Sequence, residues 1–564
     1  MTQIHHLPRT QAQISRAAIQ RLYVSMRHLF LRGSYKPLGV SGESMIEAML
    51  SLKPEIYGSI ADEEKVELDG LLYIFQRLPK GIEECRYIKL ISREGYDGSH
   101  FEKHVPPRRK RDCYRVDEEQ MFIEMTRGGS DIYDILTHLT FMYIEAEKIR
   151  KNSLDIRNRK NRSWLMLESF IQDIEEGKEV NIEVGFTYLN TILGRTYDEI
   201  SNAYLRFEKS AEVNNLFSVT YWLGKLSMEE YLTQVDREIT FSPALRESLG
   251  NHIYGEAWAN NIKKTLWENH LFDRPIHIIS ANLHSVMNCF YAKSAPIKKI
   301  KFEHPEQFAE ALSLDNNADL RQIVMKHALQ SGMIQLSDTS GTNIGVQIFD
   351  TAKLQTKMLP VELHFKEKET KDMPVIIVMD YAFGEQAYET MDELLKPYLL
   401  EGEKKHMRIK SINIMGKAGI LEGGKGDIMI PTAHVFEGTA DNYPFENAIK
   451  SKDFENSNLG VYEGTMITVL GTSLQNKDIL TYFSKSSWKA VGLEMEGAHY
   501  QKAIQAAAKI RKNIDPDVKL RYAYYASDNP LETGSTLASG SLGLDGVKPT
   551  YLITLEMLKG CLHG

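Results

Sequence analysis

Apolar residues recur at three- and four-residue intervals through the first half of the chain, then give way near Arg274 to short unbroken apolar runs. The first pattern predicts amphipathic helices and the second predicts strands buried on both faces. Helices are predicted over residues 17–31, 131–151, 163–175, 196–212, 227–235 and 252–269. Ser130, behind Gly128 and Gly129, is placed to cap the second of these. His138, Trp164, His252 and Trp258 fall on or beside such helices and read as core or cap residues rather than ligands. From Pro275 onward strands are predicted over 275–279, 345–349, 361–365, 375–379, 409–415, 464–471, 490–493 and 520–527, with helices between them. That alternation is the pattern of an α/β domain with a mixed, largely parallel sheet between helix layers. Two domains are expected: a mostly α-helical one over 1–272 and an α/β one over 273–564.

Composition narrows the classes. The chain has 564 residues, 42% hydrophobic and 26% charged, with a formal net charge of −8. Mild acidity gives no electrostatic case for nucleic acid or for an anionic membrane. The basic clusters at 108–111 and 157–162 are local and read as solvated surface. Cys85, Cys113, Cys289 and Cys561 are scattered, with no pair at metal-binding spacing, so no zinc site and no other metal is expected. Residues 1–21 carry no apolar signal core and no run approaches 18 apolar residues, so a soluble, cytoplasmic protein is expected.

Candidate chemistry gathers where predicted strands end, the position at which α/β sheets bind ligands. Residues 490–493 form a short apolar run and helical spacing resumes at Ala498; between them stand Glu494, Met495 and Glu496. Two carboxylates around a thioether suit a sugar diol with an apolar floor for the ring. The competing reading is a helix that begins with acids because its own N-terminus favours negative charge. Asp528 closes the run LRYAYYAS before Asn529-Pro530. Half-shielded from water there, it can hold a proton near neutrality and give it to a departing base. Gly416 and Gly419 allow backbone N–H groups to approach a small anion or a water. Residues 1–272 show no catalytic constellation.

These residues resemble the nucleoside phosphorylase and nucleosidase superfamily, nearest to the AMP nucleosidases. The resemblance runs in pieces through 274–558. Val491-Gly492-Leu493-Glu494-Met495-Glu496-Gly497-Ala498 is similar to the ribose-binding E-M-E-x-A element. Ala526-Ser527-Asp528-Asn529-Pro530-Leu531 is similar to the segment bearing the general-acid aspartate. Gly416-Lys417-Ala418-Gly419, Ala382-Phe383-Gly384 and Ile278–His284 fall where the family carries its glycine turns and its phosphate loop. The resemblance implies a phosphorylase/hydrolase-like three-layer domain with no metal or organic cofactor.

It further implies Glu496, Met495 and Glu494 at the ribose, Asp528 as catalytic acid, and Leu474, Gln475 and Asp528 at the base. Asn282, His284, Ser285, Gly384, Gly416 and Lys417 would face phosphate or the attacking water. The partner is then a small-molecule nucleoside or nucleotide, in a homo-oligomer whose helical half regulates or assembles it. The sequence departs from the phosphorylases in carrying His284 where a loop arginine is expected, and no arginine within 412–419. Losing both speaks for hydrolysis over phosphorolysis. The activator of the nucleophile is left open: His284 is a candidate for it, and equally for binding a substrate phosphate together with Lys417. A purine nucleosidase with AMP as the leading substrate is expected; a phosphate-dependent phosphorylase and a non-catalytic nucleotide sensor are the alternatives.

Overall fold

Side-chain caps set many of the helix starts. Asn161 accepts from the Trp164 N–H to open Arg162–Glu175. Thr196 and Glu199 close a reciprocal capping box at Tyr197–Glu208, and Ser242 caps a helix with Pro243 at its first position. Ser130 does otherwise: its helix begins at Gly128, and its hydroxyl accepts from the Glu385 N–H at 2.8 Å. The computed structural model describes residues 9–210, 213–297, 305–366, 368–439, 441–532 and 542–563.

The chain forms two compact units. The first takes Met1–Thr126, Asp131–Asn251 and Ser473–Ile479; the second takes Arg127–Ser130, His252–Thr472 and Leu480–Gly564. In the first, helices such as Gln11–Arg32, Arg162–Glu175 and Leu216–Thr233 accompany a six-stranded sheet. Its centre is Tyr87–Ile91, parallel to both Gln120–Glu124 and Glu238–Phe241. Hydrophobic periodicity does not announce this sheet, because its strands are short and Gln120–Glu124 is buried on both faces. His138 and Trp164 are fully buried, as core residues. All four cysteines are buried free thiols.

In the second unit Val375–Met379 is buried at every position, as its unbroken apolar run requires. It lies parallel to Pro275–Ser280, which in turn lies parallel to Arg408–Ile420. Arg408–Ile420, Lys519–Asp528, Ile428–Phe436, Val461–Thr468 and Ala490–Glu494 pair in succession, and the last returns to the first, closing a ring of five strands. Parallel and antiparallel strand pairings are equally numerous among the described residues, and the sheet is mixed. Alternate residues of Val375–Met379 enter two separate apolar cores. Ile376 and Val378 pack with Phe290 and Phe308, whereas Val375 and Ile377 pack with Trp258 and Met391. Helices therefore cover both faces.

Two expected local structures differ. Residues 361–365 do not form a strand; Val361–Leu363 is a 3₁₀ turn. Gly416–Gly419 is not a turn after a strand but lies within Arg408–Ile420. The glycine at 416 admits the neighbouring strand's ring, since a Cβ there would stand 3.1 Å from Tyr524 Cδ1. The irregularity that the sequence places here is a register shift between Ala418 and Gly419 opposite Asp528.

Candidate active site

Ala490–Glu494 is a buried strand and Gly497–Gln505 a helix, with Met495 and Glu496 at the handover. The two glutamates divide the work proposed for the pair. Glu494 is consumed by structure: Oε1 accepts from the Thr468 hydroxyl and Oε2 from the N–H groups of Glu496 and Gly497. It thus satisfies N–H groups at the helix start that have no intrahelical acceptor. Desolvation, with the Glu496 charge behind it, pushes its carboxyl up to about 8. Thr468 completes the arrangement by accepting from the Ala498 N–H at 2.9 Å.

Glu496 faces the other way. Its Oε1 accepts from the Gly384 N–H at 2.9 Å. Burial raises its carboxyl to about 7, opposed by that N–H, by the Met495 backbone and by the charge of Arg127. Gly384 has φ +55°, and a Cβ there would stand 2.3 Å from Ser130 Oγ and 3.8 Å from Met495 Cε. Only glycine fits that turn. Glu496, Met495 and Gly384 therefore form one group, and Glu494 lies behind it as its support.

Asp528 ends the strand Lys519–Asp528 and is 7% exposed. Oδ1 accepts from the Ser527 hydroxyl, and that hydroxyl also approaches the Ala418 carbonyl oxygen at 3.0 Å. Oδ2 is buried with no hydrogen-bond partner among the described residues. Desolvation raises the carboxyl, against the Ser527 hydrogen bond and the charge of Lys417. A buried carboxyl oxygen without a partner is costly as an anion and comfortable as an acid.

A cleft of about 560 Å³ in the same unit is lined by Asn282, His284, Arg321, Tyr381, Lys417 and Tyr525, among others. Asn282 caps the helix Leu283–Tyr291 by accepting from the Ser285 N–H at 2.9 Å. Ser285 is buried, its hydroxyl bonded by Thr554 at 3.0 Å, so it stays in the helix cap and does not line the cleft. His284 is solvent-accessible yet set among protein neighbours, as a cleft wall is, and desolvation lowers its pKa, with Arg321 adding to the effect and Asp380 opposing it. Among the described residues Arg321 is held by carbonyl oxygens, those of Leu312 at 3.0 Å and Leu314 at 2.6 Å, rather than by a carboxylate. Burial and the neighbouring Tyr525 keep the Tyr381 phenol protonated far above its usual range.

The structure thus gathers Asn282, His284 and Lys417 on one cleft and places Glu496 with Met495 and Gly384; Asp528 and Glu496 are not among the described residues that line the cleft, and Asp528 feels the charge of Lys417. Gly416 contributes backbone within a strand. Leu474 and Gln475 belong to the first unit, where the Gln475 carbonyl accepts from the Glu55 N–H at 2.9 Å. Sequence reasoning missed Thr468, Arg321 and Arg127, each far along the chain from the motif it serves and without a local signature, and it took Ser130 for a helix cap rather than a partner of the 383–385 turn. Among the described residues one group has metal-ligand spacing: His252, Asp392 and Glu393, with ligand atoms within 4.8 Å. Arg511 and Lys396 already pair with those carboxylates, so the charge that would attract an ion is compensated. No helix among the described residues is long and apolar enough to cross a membrane.

No curated protein matches the chain. Among solved structures, 5′-methylthioadenosine/S-adenosyl homocysteine nucleosidase of Campylobacter jejuni aligns at 10% identity with a TM-score of 0.30, over 51% of this chain and 99% of that one. A futalosine hydrolase mutant of Helicobacter pylori aligns at 12% and 0.29, over 51% and 99%. Likeness of this degree assigns neither fold nor activity. The family comparison is of another order, since a single family of unknown function, DUF6909, matches residues 43–300 and 312–563, and the chain belongs to it.

Proposed function

We propose that the second unit hydrolyses the N-glycosidic bond of a purine nucleoside or nucleotide, with AMP the leading substrate, releasing free base and ribose or ribose 5-phosphate. The observation that carries this reading is the buried Oδ2 of Asp528, without a hydrogen-bond partner among the described residues, at a strand's carboxyl end. A carboxylic acid whose proton is held more tightly in that way suits a general acid for a leaving base. Glu496 is the acceptor for the ribose hydroxyls and Met495 the apolar surface beside it. Charge-assisted bonds to the diol strengthen as the sugar flattens toward an oxocarbenium-like state. Lys417 and Arg321 give the cleft a cationic wall suited to a 5′-phosphate, with His284, whose pKa burial lowers, beside them as an uncharged hydrogen-bonding group.

The same wall favours a second reading. Arg321 reaches the cleft from the helix Ala318–Gln330. It supplies an arginine that the nearby loops lack, so inorganic phosphate is a conceivable nucleophile in place of water. A panel of nucleosides and nucleotides, with and without phosphate, followed for free base, separates the two. Hydrolysis gives base in phosphate-free buffer; base that appears solely with phosphate, alongside ribose 1-phosphate, replaces this reading with phosphorolysis. Binding without base release in either buffer would make the unit a nucleotide sensor.

A further inference from the structure

Arg127–Ser130 come from the part of the sequence without a visible catalytic set, yet they fold with the second unit. The guanidinium carbon of Arg127 lies 4.7 Å from the centroid of the Phe383 ring. Phe383 precedes Gly384, the residue whose N–H meets Glu496. One residue further on, the Glu385 N–H donates to Ser130 Oγ at 2.8 Å. The 383–385 turn is therefore gripped from one side by Arg127 and Ser130, and from the other it orients the Glu496 carboxylate. A side chain at 384 would collide with Ser130, at 2.3 Å from its hydroxyl oxygen, so the two surfaces are fitted to each other.

We propose that Arg127 is a positioning residue for diol recognition: lying over the Phe383 ring, it holds, together with Ser130, the 383–385 turn whose Gly384 N–H aims the Glu496 carboxylate. This rests on the reading of Glu496 as the diol acceptor. A desolvated carboxylate with few donors tends to take up a proton and then loses the charge that makes it a strong acceptor for two hydroxyls. Among the described residues the other titratable groups around Glu496 give it no help. Glu494, on the preceding strand, interacts with it as a like charge. Tyr500, one turn along the same helix, and Tyr524, from the strand Lys519–Asp528, are both held neutral by burial. Arg127 is the cation whose charge acts on Glu496 among the described residues.

The test is calorimetric binding of a purine ribonucleoside and its 2′-deoxy analogue to the full chain from about pH 6 to about pH 9, a range bracketing the shifted carboxyl. In the parent, preference for the ribonucleoside should be complete at the alkaline end and fade as Glu496 is protonated. Arg127→Met should move the midpoint of that preference up by about one pH unit, the scale of losing one neighbouring opposite charge. Arg127→Lys, which keeps the charge, should hold the midpoint near the parent's. Ser130→Ala should weaken the preference at every pH without moving the midpoint.

A folded Arg127→Met with the parent's midpoint overturns the proposal. Should Arg127→Met not fold, an Arg127→Lys midpoint displaced upward by a unit overturns it too. Absence of any ribose preference in the parent removes Glu496 from the diol, and this inference falls with it. Free-base release by the parent is scored separately: its failure with the pH-dependent preference intact refutes the nucleosidase reading and leaves the role of Arg127 standing.

Discussion

Glu494 and Glu496 stand two residues apart and point their carboxylates at different tasks. Glu494 takes the N–H groups that open the following helix, whereas Glu496 takes the Gly384 N–H from a distant turn. Sequence symmetry between the two does not survive folding. Glu496→Gln should lose about 2 kcal/mol or more of transition-state stabilisation, the scale of a hydrogen bond to a charged group. A 2′-deoxy substrate should lose a similar amount with the parent and little more with the variant. Additive losses in kcat/KM would show that Glu496 does not touch the diol.

Glu494→Gln should instead act on stability. An unfolded glutamate ionises near its ordinary value, and the folded one near 8. Between those values the folded state holds a proton that the unfolded state has released, so stability falls as pH rises through the window. Glutamine removes that dependence. The melting temperature of the variant relative to the parent should therefore rise from about pH 5 to about pH 8. A difference that is constant with pH would show that Glu494 titrates normally.

Gly384→Ala tests the turn. With φ +55° and a Cβ placed 2.3 Å from Ser130 Oγ, alanine must displace either the turn or Ser130. Loss of about 1 kcal/mol or more from the backbone alone is expected, together with loss of ribose preference. Pairing it with Ser130→Gly should restore part of that preference; no restoration would mean that the contact does not set the turn.

Arg321→Ala and Lys417→Ala test the cleft. Each should raise KM for a nucleoside 5′-phosphate about tenfold or more, as expected for losing one charged partner of a phosphate. Turnover of the unphosphorylated nucleoside should change far less. Equal effects on both substrates would take the phosphate out of this cleft.

Much of this was legible from the chain, and the reasons differ by element. The unbroken run at Val375–Met379 and the strand-to-helix handover at Glu494–Glu496 are local patterns, and local patterns are what hydrophobic spacing reports. The Gly416–Gly419 segment reads as a turn because two glycines suggest one. In the structure the glycine at 416 serves close packing against Tyr524, a long-range demand. Arg127 and Arg321 belong to the second unit but stand on a loop and a helix with no motif of their own, so nothing near them in sequence marks them. The sheet of the first unit escaped for a third reason, since two- to five-residue strands are too short to establish a period.

Asp528 bears the central claim, and adenine release from AMP in phosphate-free buffer by the parent and by Asp528→Asn addresses it most directly. Asparagine keeps the shape and cannot deliver a proton, so kcat should fall by about 10²–10⁴-fold with substrate binding nearly unchanged. Release by the parent together with that fall is the predicted result; a variant that releases adenine at the parent's rate would contradict the account.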